Sequence, residues 1–134
     1  KLVSLIDTLE LKENVKFVGW KTDKELFDIY QNSDLFLFAS TYENFGRPLL
    51  EAAYFGLPLV STDVGVARDL IGDNQGGILI PKLDPDTFAK EIINLQNNTR
   101  YDEFSKHVKN RSQQFSIKLI TDQYEAILKE IVEN

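Results

Sequence analysis

Residues 35–39 read Leu-Phe-Leu-Phe-Ala, an unbroken apolar run introduced by Asp34 and closed by Ser40. A run this short that lacks alternation predicts a strand buried on both faces, the kind found in parallel sheets. Three further segments fit the same scheme. Val15-Lys16-Phe17-Val18 stops at Gly19, Leu57 to Thr62 stops at Asp63-Val64-Gly65, and Ile78-Leu79-Ile80 is closed by Pro81. Helical patterns separate them. Thr22 with Glu25 three residues later is a capping box for a helix over about 23–32, with Leu26, Phe27, Ile29 and Tyr30 on its apolar side. Val66 to Ile71 reads as a short helical turn, and residues 72–77, Gly-Asp-Asn-Gln-Gly-Gly, as a loop. Helices are predicted over about 84–96, 99–114 and 116–132, and residues 1–11 carry the apolar spacing of a helix tail.

Strands alternating with helices define an α/β chain with a mostly parallel sheet, and right-handed crossovers place helices on both faces. Ligands in such sheets bind beyond the carboxyl ends of the strands. The segments Gly19-Trp20, Ser40 to Arg47, and Asp63-Val64-Gly65 all follow expected strands, so they are expected to share one edge. Four strands are few for such a sheet. The chain opens on Lys1, in mid-helix, and contains no Met. Both features read as a piece of a longer protein with one or two strands upstream.

The chemistry concentrates in Ser40 to Pro58. Glu43 and Glu51 flank Gly46, Arg47 and Pro48, and Gly56-Leu57-Pro58 follows. Proline near a helix start and glycine just past its end predict a helix over about 48–55. Its first-turn amides face the loop that carries Glu43, forming an anion site. Two carboxylates around an anion site suit a ligand with phosphates in the middle and hydroxyls at both ends.

Composition narrows the field. The 134 residues carry a net charge of −6 and 43% hydrophobic residues, suiting one packed domain and arguing against a general nucleic-acid surface. Without cysteine there is no thiolate metal site, and a reducing cytosol is compatible. No apolar run is long enough to span a bilayer. Two sequons, Asn97-Asn98-Thr99 and Asn110-Arg111-Ser112, carry meaning only in a secreted protein. A receiver-type regulatory module would need clustered acids at the ends of its early strands, and Asp34 instead precedes its strand.

Taken together, N-V-K-F-V-G-W, L-F-D-I-Y-Q-N-S-D-L-F-L-F-A-S and T-Y-E-N-F-G-R-P-L-L-E-A-A-Y-F-G-L-P-L-V-S-T-D-V-G resemble the C-terminal domain of retaining glycosyltransferases of family 4 type (glycosyl transferases group 1). G-G-I-L-I-P and F-S-I-K-L-I-T-D-Q-Y extend the resemblance over nearly the whole chain. The E-x7-E spacing alone is a weak signal. The ordered set Glu43-Asn-Phe-Gly, Pro48, Glu51-Ala and Gly56-x-Pro58 is a strong one.

The resemblance implies a Rossmann-like domain spanning 1–134, with C-terminal helices over about 84–134. That domain would be the C-terminal half of a GT-B architecture. It implies Glu43 at the donor sugar, as the catalytic carboxylate, with the Asn44, Phe45 and Gly46 amides on sugar hydroxyls. Arg47 and the Leu49 and Leu50 amides would lie at the diphosphate, and Glu51 at the ribose. Gly19, Trp20 and Lys21 would lie near the base, and Ser40, Asp63 and Gly65 would line the cleft.

The donor would be a UDP-, GDP- or similar nucleotide sugar, with no metal or other cofactor required. The partner would be an N-terminal acceptor-binding domain of the same polypeptide, with no nucleic acid. The implied location is cytoplasmic, with the cytoplasmic face of a membrane as an alternative station for the full-length protein. The family's phosphate-binding Arg and Lys fall upstream of Lys1, so the 134 residues alone are expected to be inactive. A GT-B nucleotide-sugar epimerase is the alternative enzyme, and a non-catalytic α/β module the alternative class.

Bland roles stand beside these. Arg47 is divided between phosphate contact and solvated surface. Trp20 is read as packing rather than base stacking, Lys21 as a solvated charge, Asp34 as a turn residue, and His107 as surface on an outer helix. Phe104, Phe115, Tyr124 and Leu128 form a stripe read as core or domain interface.

Overall fold

The computed structural model describes residues 1–96 and 99–133. Asn97 and Asn98 of the first sequon lie outside the described residues. The order is α1 (Leu2–Thr8), α2 (Asp23–Gln31), β1 (Phe36–Phe38), α3 (Arg47–Tyr54), β2 (Leu59–Thr62), α4 (Ala67–Ile71), β3 (Gly77–Ile80), α5 (Pro85–Gln96), α6 (Tyr101–Gln113) and α7 (Ile117–Glu133). The strands form one parallel sheet in the order β1-β2-β3. Phe36 pairs with Leu59, and Leu59 with Gly77.

Local signals account for the helices. The Thr22 backbone N–H and hydroxyl both donate to the Glu25 carboxylate, at 3.1 and 2.8 Å, which opens α2. These bonds favour the ionised form and hold the Glu25 carboxyl below its ordinary value. Helix α3 ends in a Schellman motif. Gly56 N–H donates to Ala53 O at 2.9 Å, and Leu57 N–H to Ala52 O at 3.0 Å. Gly56 takes φ +80°, which glycine supplies without a Cβ penalty.

The sheet divides two cores. On one face Leu59 packs with Leu49, Ala52 and Ala53 of α3, Ala67, Leu70 and Ile71 of α4, and Val108 of α6. On the other, Val60 and Ile80 pack with Phe88 and Leu95 of α5 and Phe104 of α6. Helices thus cover both faces, as expected. All four residues of β2 are buried.

Three expectations change. Residues 15–18 form no strand, and Val15, Phe17 and Val18 are exposed. A strand exists only by pairing, and β1 pairs with β2 alone among the described residues, so the sheet has three strands rather than four. Two-sided burial belongs to β2, not to residues 35–39: β1 is an edge strand, and Leu37 is 48% exposed on the side that α5 leaves open. Helix α6 is not an outer helix. Phe104, Val108 and Ser112 are buried, and α6 packs on α3 and α4. Of the C-terminal stripe read as core or domain interface, Phe104 is core, Phe115 is half-buried, and Tyr124 and Leu128 are exposed, as an interface reading also allows.

Candidate functional site

Because β1 and β2 are parallel neighbours, the loops after them leave the same edge of the sheet. Three contacts fuse these loops. The Thr62 hydroxyl donates to the Ser40 carbonyl. Val66 N–H donates to the Phe45 carbonyl at 2.8 Å. Gly65, at φ +51°, lies so close that a Cβ there would stand 2.7 Å from the Phe45 carbonyl carbon. Glycine is needed at 65 because another backbone occupies the place of a side chain.

Within the first loop the Ser40 hydroxyl donates to the Tyr42 carbonyl at 2.8 Å, and the Tyr42 hydroxyl to Asn44 Oδ1 at 2.7 Å. The ring of Phe45 meets Phe115 edge-on, with centroids 6.0 Å apart. Gly46 is buried at φ +81° and is the N-cap of α3, so Arg47 and Pro48 occupy the first two helical positions. The Leu49 N–H, expected at phosphate, donates to the Gly46 carbonyl at 2.9 Å. The Arg47 amide at the first helical position has no intrahelical acceptor and adds a donor that the sequence reading did not include.

The two carboxylates differ. Glu43 is half-buried and has no hydrogen-bond or ion-pair partner among the described residues. Glu51 is held twice: Oε2 accepts from the Tyr30 hydroxyl at 3.2 Å, and Oε1 lies 3.5 Å from the exposed Arg47 guanidinium. Burial, with Glu51 adding to it, pushes the Tyr30 phenol up to about 12. Beside Glu51 opens a hollow of about 740 Å³, lined by Phe27, Leu50, Tyr54, Phe55 and Phe115. At the second loop Asp63 pairs with Arg68, whose guanidinium is raised above its ordinary value by that contact.

Ser40, Glu43 to Gly46 and Gly65 therefore come together as expected, beside the start of the helix that carries Glu51. The segment at 19–21 does not join them. No hydrogen bond, ion pair or ring contact ties it to Glu43–Glu51 among the described residues, and Lys21 pairs with Glu25 at 3.4 Å. Its place at the edge rested on residues 15–18 being a strand. Trp20 is 89% exposed, so it does not pack as expected, and nothing lies within 4 Å of a Cβ placed on Gly19. Asp34 is an exposed residue ahead of β1, as a turn residue should be.

Two residues with a bearing on the site or its support escaped the sequence reading. Tyr30 sits on the apolar side of α2, where nothing local announces a partner 21 positions later. His107 is half-buried rather than surface, with Nε2 enclosed against the 72–76 loop and without a hydrogen-bond partner. Among the described residues no group of three or more His, Cys, Asp or Glu could hold a metal ion, and no helix is long and apolar enough to cross a membrane.

Loops converging at the carboxyl edge of a parallel sheet, beside a helix N-terminus, define the Rossmann-like class of ligand-binding α/β domain. Residues 1–115 match the family described as glycosyl transferases group 1, and the chain belongs to that family. It is 34% identical over 117 residues to the UDP-N-acetylglucosamine–peptide N-acetylglucosaminyltransferase GtfA subunit of Streptococcus parasanguinis. That match covers 87% of this chain and 22% of the relative.

Among solved structures it resembles pneumococcal GtfA in complex with UDP and GlcNAc, with a TM-score of 0.81 and 27% identity, covering 99% of this chain and 27% of that one. It also resembles Anabaena HepE in complex with UDP and glucose, with a TM-score of 0.83 and 26% identity, covering 96% and 35%. The fold is that of the C-terminal, Rossmann-like half of a GT-B glycosyltransferase. The chain spans about a fifth of the length of the curated relatives it matches.

Proposed function

We propose that this chain is the donor-binding domain of a retaining glycosyltransferase, which moves a sugar from a nucleoside diphosphate to a hydroxyl acceptor. The observation that carries the reading is the arrangement at α3. An unpartnered carboxylate, Glu43, stands before a helix N-terminus capped by Gly46, and an anchored carboxylate, Glu51, lies one turn inside it. Five helical rises separate Gly46 from Glu51, about 7.5 Å along the axis. A diphosphate at the helix start leaves room for ribose hydroxyls at Glu51 on one side and sugar hydroxyls at Glu43 on the other.

Each part has a physical role. Carboxylates accept charge-assisted hydrogen bonds from hydroxyls. The Asn44, Phe45 and Gly46 amides serve the sugar. The Arg47 amide, left without an intrahelical acceptor, and the Arg47 guanidinium stabilise negative charge that develops on the leaving diphosphate, electrostatic catalysis that needs no metal. Gly65 and Asp63 line the cleft. The acceptor site belongs to an N-terminal domain of the same polypeptide, and the location is cytoplasmic. The epimerase alternative is not favoured, because the family is described as glycosyl transferases and the GtfA relative is named for glycosyl transfer.

The test is transfer by the full-length protein from a panel of UDP- and GDP-sugars, with the anomeric configuration of the product read by NMR. Transfer with retention is expected. Inversion overturns the retaining mechanism, and no turnover of any nucleotide sugar overturns the enzyme reading. The 134 residues alone are expected to give no transfer.

A further inference from the structure

Glu51 projects from a helix whose register places it, but a glutamate side chain keeps several rotamers unless something fixes it. Arg47 cannot do so. Its side chain is 84% exposed and 3.5 Å away, an ion pair of the solvent-screened kind that holds no geometry. Tyr30 is different. It is 6% exposed near the end of α2. Its ring stacks on Phe55 with centroids 5.5 Å apart and planes 16° apart, and meets Phe36 at 6.0 Å. Two aromatic neighbours from two different elements lock the ring, so the hydroxyl has a fixed position. From there it donates to Glu51 Oε2 at 3.2 Å.

We propose that Tyr30 is a positioning residue for nucleotide recognition: its hydroxyl fixes the Glu51 carboxylate in the orientation that accepts the ribose hydroxyls, and so sets a preference for ribonucleotide over 2′-deoxyribonucleotide donors. The inference rests on the proposed ribose role of Glu51. A carboxylate has about four acceptor sites, and Tyr30 uses one, leaving the others for ligand hydroxyls. The phenol, pushed up to about 12, keeps its proton throughout the physiological range, so it acts as a donor and never as a competing anion. The bond also carries the geometry of the α2–α3–β1 aromatic cluster to the site.

The full-length protein is titrated by calorimetry with UDP and GDP and with their 2′-deoxy counterparts, as wild type, Glu51→Gln and Tyr30→Phe. Wild type is expected to prefer the ribonucleotide, and Glu51→Gln to abolish that preference. Tyr30→Phe retains the ring and its stacking. It is expected to shrink the preference about three- to tenfold, the equivalent of one lost hydrogen bond. The ratio is a property of folded molecules alone, so a partial loss of stability does not imitate the effect. A Tyr30→Phe ratio equal to wild type, while Glu51→Gln loses it, overturns the role of Tyr30 and leaves the ribose reading standing. A wild type that binds without preference, or binds neither diphosphate, overturns the ribose reading itself and the role of Tyr30 with it.

Discussion

Gly65 and Phe45 come from loops after different strands, yet a Cβ on Gly65 would stand 2.7 Å from the Phe45 carbonyl carbon. Backbone cannot move aside as a flexible side chain can, so the two loops form one rigid edge. Gly65→Ala is expected to destabilise the protein by about 2–4 kcal/mol, from left-handed backbone strain plus overpacking. It should also weaken donor binding by displacing Phe45 and Gly46. Gly19→Ala is the control. Its φ of +66° carries the strain, but no atom lies within 4 Å of a Cβ there. The control should cost only about 1–2 kcal/mol. Urea unfolding of the two variants reads the difference, and equal costs would contradict the close approach.

Arg47 separates stability from binding. Its pair with Glu51 is exposed, so Arg47→Ala should change stability by less than about 0.5 kcal/mol. If the guanidinium reaches the diphosphate when donor is bound, the variant weakens UDP binding several-fold and leaves uridine binding unchanged. Equal affinity for UDP in variant and wild type assigns Arg47 to the solvated surface.

His107 is the chain's single histidine, so its titration can be isolated. Burial, and then the neighbouring Arg111, lower its pKa in the folded state. The unfolded chain therefore takes up a proton near pH 6.5 while the folded chain resists. Its effect on stability is absent above pH 7. Stability is then lost as pH falls through about 6.5 toward the lower folded-state value. Thermal unfolding between pH 7.5 and 5.5 should show a decline that His107→Gln flattens. The window lies above the ordinary carboxylate range, so Asp and Glu contribute little to it. An identical slope in the variant would show that His107 is freely solvated.

What could be read from sequence was mostly what is local. The Thr22–Glu25 capping box and the Gly56–Leu57 termination each depend on neighbours within a few positions, and both are observed. The convergence of the Ser40–Glu51 stretch with Asp63–Gly65 was also legible, because parallel strands must send their loops to the same edge. Pairing is another matter. Val15 to Val18 has a strand's composition, but a strand needs a partner that composition does not name. Trp20 and the placement of 19–21 failed with it. The Tyr30–Glu51 bond spans 21 positions and the enclosure of His107 by residues 72–76 spans more than 30, so neither leaves a periodic trace.

The central claim is that the two carboxylates hold opposite ends of one ligand. It is tested most directly by titrating the full-length protein with a nucleoside diphosphate and with the matching nucleotide sugar, comparing wild type, Glu43→Gln and Glu51→Gln. Glu51→Gln should weaken both ligands about equally, by roughly tenfold, because it removes a charge-assisted contact to the shared ribose. Glu43→Gln should leave the diphosphate affinity unchanged, lower the affinity for the nucleotide sugar, and reduce turnover. Unchanged diphosphate affinity in Glu51→Gln, or equal losses for both ligands in Glu43→Gln, would contradict the account.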